Sequence, residues 1–270
     1  MDNDSIKTIA YEAGFAAAYF LPLPDYPAHD DEPHIVWSAE GYPWARASLL
    51  LVWAYRPYKK GERIPAYYIN SNLSYHASVA LKKRLEAEGI NALRCEIPIK
   101  QMAVRYGIAR SLKSSLIEIP PFGTRTVIQT MLLGEPFTPE EYSITDDGLC
   151  SSCRACENAC PARAISACGY DVKKCMRFYM DGADYPEWVY GIQRTHLGCE
   201  VCQEVCPRNA ALGFDEPSPE VREAFDLGRL AGGDTSAARK LVGKNITGNG
   251  KLQKEAQHFL KNPANEQNIP

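Results

Sequence analysis

Nowhere does this sequence hold an apolar run long enough to cross a bilayer. The longest, Ala47 to Tyr55, is far short of the roughly 20 residues a spanning helix needs. A secretory signal is missing too: Met1-Asp-Asn-Asp-Ser is acidic where a signal peptide is basic, and no apolar segment follows it. Charge of one sign is scarce. The 30 Lys and Arg against 33 Asp and Glu leave a net charge of -3, so no global basic field argues for nucleic acid or an anionic membrane. Glycine-rich loops of the usual phosphate-cradling kinds are also lacking. These absences point to a cytoplasmic protein with neither nucleic acid nor membrane as a partner. The rest is ordinary: 45% hydrophobic and 23% charged over 270 residues, enough for one large domain or two modest ones.

Cysteine, by contrast, is plentiful and ordered. One run reads Cys150-Ser-Ser-Cys153-Arg-Ala-Cys156-Glu-Asn-Ala-Cys160-Pro161, and a second reads Cys199-Glu-Val-Cys202-Gln-Glu-Val-Cys206-Pro207. The first has the C-x2-C-x2-C-x3-C-P spacing of bacterial ferredoxins that carry two clusters. Cysteines two residues apart can reach different irons of one cube while the amides between them turn toward its sulfurs. The cysteine before proline is held by a stiffened turn and reaches the other cluster. Cys150, Cys153, Cys156 and Cys206 are therefore assigned to one [4Fe-4S] cluster, and Cys160, Cys199 and Cys202 to the other. The eighth ligand lies between the runs, where Cys168 and Cys175 are available. Paired C-x2-C units also build tetrahedral zinc sites, and cysteines in a secreted chain build disulfides. Cys-Pro at the end of both runs, and three thiols within the seven residues Cys150 to Cys156, fit a cube better than a tetrahedron.

Along the chain, Ile6 to Ala13 has helical periodicity stopped by Gly14, and Phe15 to Leu21 reads as a strand. Pro22 to Pro43 is irregular. Ser48 to Tyr55 is the central strand. A helix is expected over Asn72 to Glu88, capped by Asn70 or Ser71, with Leu73, Ala77, Leu81 and Leu85 facing inward. A strand at Ile90 to Cys95, a helix at Lys100 to Tyr106 ended by Gly107, and a strand at Thr126 to Leu133 after Pro120-Pro121-Phe-Gly follow. The tail is read as helical over Pro219 to Leu227, Ser236 to Val242 and Leu252 to Leu260, with frayed final residues. Strands and helices thus alternate before the cysteines begin, which gives an α/β or α+β class.

The stretch Leu197 to Asn209, LGCEVCQEVCPRN, closely resembles the second cluster motif of epoxyqueuosine reductases. Asp171-Val-Lys-Lys-Cys175 is similar to that family's single ligand between the runs, which favours Cys175 over Cys168. The layout from Met102 to Leu133 is also similar. With its relatives the reductive dehalogenases, the family implies an α+β fold: a nitroreductase-like domain over residues 1–145 that holds cobalamin, and a ferredoxin-like domain with two [4Fe-4S] clusters over 146–215. A short helical tail, 216–270, completes the division. Electrons would come from an external low-potential donor of the ferredoxin or flavodoxin type. They would pass through the clusters to cobalt, and the reduced corrinoid would reduce a substrate, making the protein an oxidoreductase.

Departures from the family pattern bear on that role. Ser74-Tyr75-His76 stands where the resemblance expects Asp-Tyr-His with a proton-donating Asp, and an unperturbed serine cannot replace a carboxylic acid there. Tyr75 and His76 are then the candidate catalytic residues. Ser74, Gly107 and Lys113, the last two in the loop Gly107-Ile-Ala-Arg-Ser-Leu-Lys-Ser-Ser115, are the candidate corrinoid contacts. The chain also stops near where relatives acting on tRNA continue into helical repeats, so a small-molecule substrate is expected instead. Two readings follow: a cobalamin-dependent reductase, or a non-catalytic electron-transfer or activating protein for a partner such as a corrinoid protein. FMN in place of cobalamin finds no phosphate-binding motif. Among smaller features, Cys95 and Cys168 read as free thiols and His196 as an exposed residue. Lys82-Lys83-Arg84 and Lys173-Lys174 read as solvated faces, the second able to steer an acidic donor. Trp37, Trp44 and Trp53 read as core packing.

Overall fold

The element that most constrains the fold is Ala47–Ala54, whose first six residues are completely buried. A strand sealed on both faces must lie inside a sheet with cover above and below. The computed structural model, which describes residues 1–25, 35–59, 61–138, 140, 142–180, 182 and 185–262, has that arrangement. In chain order its first elements are α1 (Asn3–Glu12), β1 (Ala17–Leu21), β2 (Ala47–Ala54), α2 (Ala66–Ala87), β3 (Ala92–Arg94) and α3 (Ile99–Arg105). The two-residue strands β4 (Arg110–Ser111) and β5 (Ile117–Glu118) and then β6 (Thr126–Leu133) follow. The main sheet has the order β1-β2-β6-β3 and every neighbouring pair is antiparallel. An α+β architecture results.

Period-2 alternation separates the two faces of that sheet. Leu49 and Leu51 of β2 and Met131 and Leu133 of β6 pack with Ile6, Ile9 and Ala10 of α1 and with Leu81 and Leu85 of α2. Leu50, Val52 and Leu132 pack on the opposite face with Ile99, Met102 and Ala103 of α3 and with Ile117 and Ile119. Each fully buried Leu or Val contributes about 1.5–3 kcal/mol by leaving water. Trp53 joins the first core, edge-on to Phe15 at 5.8 Å, and Trp37 and Trp44 border the second.

The two strands expected from apolar runs fall where expected, β6 residue for residue. Helix α2 differs. It begins six residues before the expected Asn72, at Ala66, just after Pro65, whose fixed φ suits a helix start. Asn70 and Ser71 therefore lie inside the helix instead of capping it, and Asn70 Nδ2 donates back to the Ala66 carbonyl at 2.8 Å. The inward seam is also rotated. Leu73 is 47% exposed, while Ser74 and Ser78 are fully buried in line with Leu81 and Leu85.

Two compact units are present: residues 1–55 with 73–149, and residues 56–72 with 150–270. Helix α2 thus contributes its first turns to the second unit and the rest to the first. The second unit contains α4 (Leu149–Ser152), whose first residue counts with the first unit, then α5 (Ala155–Ala159), the hairpin β7 (Ile165–Ser166) and β8 (Gly169–Tyr170), α6 (Glu187–Ile192) and α7 (Val201–Glu204). The tail follows as α8 (Pro219–Ala224), α9 (Leu227–Ala231), α10 (Ser236–Val242), α11 (Lys244–Thr247) and α12 (Lys251–Lys261). Its core joins Tyr68 and Ile69, Met176 and Met180, Val189 and Leu197 with Phe225, Leu230, Val242, Leu252 and Ala256. The tail, expected as a part of its own, supplies much of the hydrophobic centre beneath the cysteines. Residues 263–270, where fraying is expected, lie outside the described residues. Among the described residues no helix is long and apolar enough to cross a membrane.

Candidate iron–sulfur site

The two cysteine runs fold the same way. In the first, Arg154 (φ -118°, ψ 11°) precedes helix α5, which carries Cys156 and ends at Cys160 with φ -64° and ψ 111°. In the second, Glu200 (φ -115°, ψ 14°) precedes helix α7, which carries Cys202; Cys206 follows with φ -73° and ψ 122°. The extended conformation of Cys160 and Cys206 is what a following proline imposes, because its ring clashes with an α-helical predecessor. Sequence repeat and backbone repeat coincide, and α5 and α7 are in contact.

All eight cysteines assigned to clusters are partly buried. Their thiols fall into two neighbourhoods. Burial pushes the Cys156 thiol up, and the next contributions come from Cys150, Cys206 and Cys153. Cys206 is likewise raised, first by burial, with Cys150 and Cys153 beside it. Burial pushes Cys199 up to about 12, with Cys175 and Cys160 as its thiol neighbours. Cys202 is also raised by burial, with Cys199, Cys175, Cys160 and Cys156 as its thiol neighbours. So Cys206 sits among the cysteines of the first run, and Cys160 among those of the second. Among the described residues no three Cys, His, Asp or Glu side chains converge on a single metal-ion position. A cube does not ask for that, since each iron takes its own thiolate.

Backbone N–H groups point at several sulfurs. Ala164 donates to Cys160 Sγ at 3.3 Å, Val201 to Cys199 and Arg208 to Cys206. Such bonds stabilise thiolate and tune a cluster's potential. Cys175 ends the turn Asp171–Lys174, in which Asp171 Oδ1 accepts the Lys173 N–H at 3.1 Å, and Tyr170 is hydrogen-bonded to its thiol. Cys168 is exposed in the turn between β7 and β8. Lys173 and Lys174 are exposed. Lys82 pairs with Glu86, and Arg84 with Glu12.

His196 departs from expectation. It is fully buried, not exposed, with Nδ1 3.0 Å from Glu255 Oε2, and Nε2 has no partner among the described residues. It sits between the rings of Phe225 and Phe259, a setting created by the tail and invisible in the local sequence.

The candidates in the first unit are placed as follows. Ser74 is sealed inside α2, its Oγ accepting from Gln129 Nε2 at 3.1 Å. Tyr75, 45% exposed, lies under the Arg94 guanidinium at 4.3 Å, and Arg94 donates to Gln129 at 2.9 Å. One network therefore joins Ser74, Gln129, Arg94 and Tyr75, of which Gln129 and Arg94 carried no sequence signal. His76 is exposed and edge-on to Tyr75. Gly107 has φ +66°, and a Cβ there would meet the backbone of Tyr142 and Ser143. Lys113 is partly buried in the turn between β4 and β5.

Residues 144–166 match the 4Fe-4S binding domain family. An epoxyqueuosine reductase of Bacillus anthracis is 33% identical over 134 residues, 47% of this chain and 34% of that protein. This chain is an epoxyqueuosine reductase-like iron–sulfur protein. It spans about a third of the length of the curated relatives it matches. A solved epoxyqueuosine reductase, labelled with selenomethionine, superposes with TM-score 0.72 at 19% identity, covering 95% of this chain and 80% of that one. A reductive dehalogenase described with a mechanism for B12-dependent dehalogenation superposes with TM-score 0.52 at 16% identity, covering 97% of this chain and 36% of that one. At those identities the likeness is one of fold.

Proposed function

We propose that the chain is an iron–sulfur redox protein carrying two [4Fe-4S] clusters that passes single electrons to a low-potential acceptor of the corrinoid class, for reduction of a small molecule and not of tRNA. The observation that carries this reading is the grouping of thiols, with the last cysteine of each run lying among the cysteines of the other. Cys150, Cys153, Cys156 and Cys206 would hold one cluster, and Cys160, Cys175, Cys199 and Cys202 the other. The donor set fits: eight thiols in two sets of four, with N–H groups directed at their sulfurs. Bound clusters supply one-electron chemistry at potentials set by those hydrogen bonds and by burial. The exposed Lys173 and Lys174 beside Cys175 suit an acidic donor of the ferredoxin or flavodoxin type. A nitroreductase-like first unit belongs to the same reading.

Two of the three residues that the resemblance assigns to the corrinoid do not fit contact with it. Ser74 has no exposed surface, and the side-chain space of Gly107 is taken by the backbone of Tyr142. Those two positions favour a second reading, in which the chain is an electron-transfer or activating protein and the corrinoid rides on a partner.

Anaerobic reconstitution followed by iron and sulfide analysis and titration with cob(II)alamin tests both. About eight iron and eight sulfide per chain, with the cobalt EPR signal altered by the protein, supports the corrinoid reductase. Full clusters with an unaltered cobalt signal support the carrier. About four iron overturns the two-cluster reading altogether.

A further inference from the structure

Two charged side chains one turn apart on α12 are almost wholly out of water: Lys251 is 1% exposed and Glu255 0%. Charges buried this deeply persist only when their hydrogen bonds are made. The partners are specific. Glu255 accepts from Gln193 Nε2 at 2.8 Å and from the Leu197 N–H at 3.2 and 3.1 Å, and it faces His196 Nδ1 at 3.0 Å. Lys251 Nζ donates to the carbonyls of Met180 at 2.6 Å and Tyr179 at 3.3 Å.

One grip closes two residues before Cys199, the other four and five residues after Cys175. Only Gly198 separates Leu197 from Cys199. Leu197 has φ +57°, a left-handed conformation that a non-glycine residue holds only when its surroundings impose it. Tyr179 ends the 3-10 turn Met176–Tyr179 entered at Cys175, whose carbonyl accepts from Phe178 N–H at 3.0 Å, and Met180 follows it. One helix thus fixes the segment after Cys175 with a cation and the segment before Cys199 with an anion.

We propose that Lys251 and Glu255 are positioning residues of the second cluster, α12 acting as a clamp that holds Cys175 and Cys199 at the separation one cube requires. The inference rests on the assignment of Cys160, Cys175, Cys199 and Cys202 to a single cluster. It explains why that cluster alone needs a clamp. Three ligands of the first lie within one run, where local backbone spacing sets them. The second has two ligands from one run and two from distant segments, so tertiary structure must bring them into register.

The test uses the full chain, reconstituted anaerobically, with Glu255→Ala, Glu255→Gln, Lys251→Met and the surface control Lys261→Ala. Iron and sulfide content, EPR of the reduced protein, far-UV circular dichroism and the rate of iron loss to a chelator are read together. Wild type and control are expected to hold about eight iron. Glu255→Ala and Lys251→Met should hold about half of that, with the EPR spectrum of one isolated reduced cluster and unchanged helix content. Glu255→Gln keeps an oxygen for the Leu197 N–H, so it should load fully but lose iron several-fold faster. A wild type with only about four iron overturns the underlying ligand assignment. A wild type with about eight, and variants matching it in content, spectrum and loss rate, overturns the clamp alone. Loss of all iron in all three variants also overturns it, because the effect would not belong to the second cluster.

Discussion

Replacing Gly107 with alanine separates two explanations of that residue: a surface kept clear for a large cofactor, or one taken by the protein's own chain. Two costs can be worked from the structure. Alanine at φ +66° carries a left-handed penalty of about 1–2 kcal/mol, offset by about 0.4–1 kcal/mol through a stiffer unfolded chain. The net is about 1 kcal/mol. The second cost is steric. The new Cβ would lie 2.8 Å from the Tyr142 carbonyl carbon, 3.3 Å from Ser143 N, and closer still to the Tyr142 oxygen. Relief requires residues 142–144 to withdraw. That breaks the Ile144 N–H bond to the Gly107 carbonyl, 2.8 Å long, worth about 1 kcal/mol. It also loosens the edge-on contact of Tyr142 with Tyr19 at 4.9 Å, worth about 0.5–1.5 kcal/mol. Gly107→Ala should therefore cost about 3 kcal/mol, or roughly 6–12 °C in Tm. Gly89 has φ +82°, and a methyl group there would meet nothing within 4 Å. It carries only the first cost, so Gly89→Ala should lose about 1 kcal/mol, or roughly 2–4 °C. Anaerobic thermal unfolding followed by tryptophan fluorescence measures both, with visible cluster absorption recorded alongside. Equal losses in the two variants would refute the steric reasoning and return Gly107 to the role of an open surface.

Other outcomes follow from the same geometry. Cys175→Ser should lose about half of the cluster iron while Cys168→Ser keeps all of it, as iron analysis after reconstitution will show; the reverse result would move the eighth ligand to the hairpin. Ser74→Ala should cost about 1 kcal/mol in urea unfolding, because it removes the Oγ that accepts from the partly buried Gln129 Nε2, and should leave cluster reduction unchanged. Burial alone would raise the Glu140 carboxyl, but its bonds from Lys7 and Tyr142 outweigh that and hold it below the ordinary value of 4.5. A carboxyl lowered in the folded state stabilises above its unfolded-state value and loses that contribution as pH falls through the folded one. The Tm gap between wild type and Glu140→Gln should accordingly narrow as the pH is lowered from about 6 to about 3, and a gap that widens would contradict the ion pair.

What sequence determines by itself is whatever depends on neighbours along the chain. The spacing of Cys150 to Cys160 and of Cys199 to Cys206, each closed by proline, dictates two matching helix-then-extended segments, and the apolar runs at Ala47–Ala54 and Thr126–Leu133 dictate strands. Local rules reached their limit at α2, where Asn70 and Ser71 have the chemistry of a cap but lie inside a helix that Tyr68 and Ile69 anchor in the second unit's core. Tertiary structure alone decided that Ser74, not Leu73, faces inward, that His196 is buried, and that Lys251 and Glu255, two charges with no local signal of burial, sit beneath the cysteines. The reason is physical. Proline geometry, cysteine spacing and apolar continuity act over a few residues, whereas burying a charge is tolerable only when partners far along the chain have already been brought to meet it.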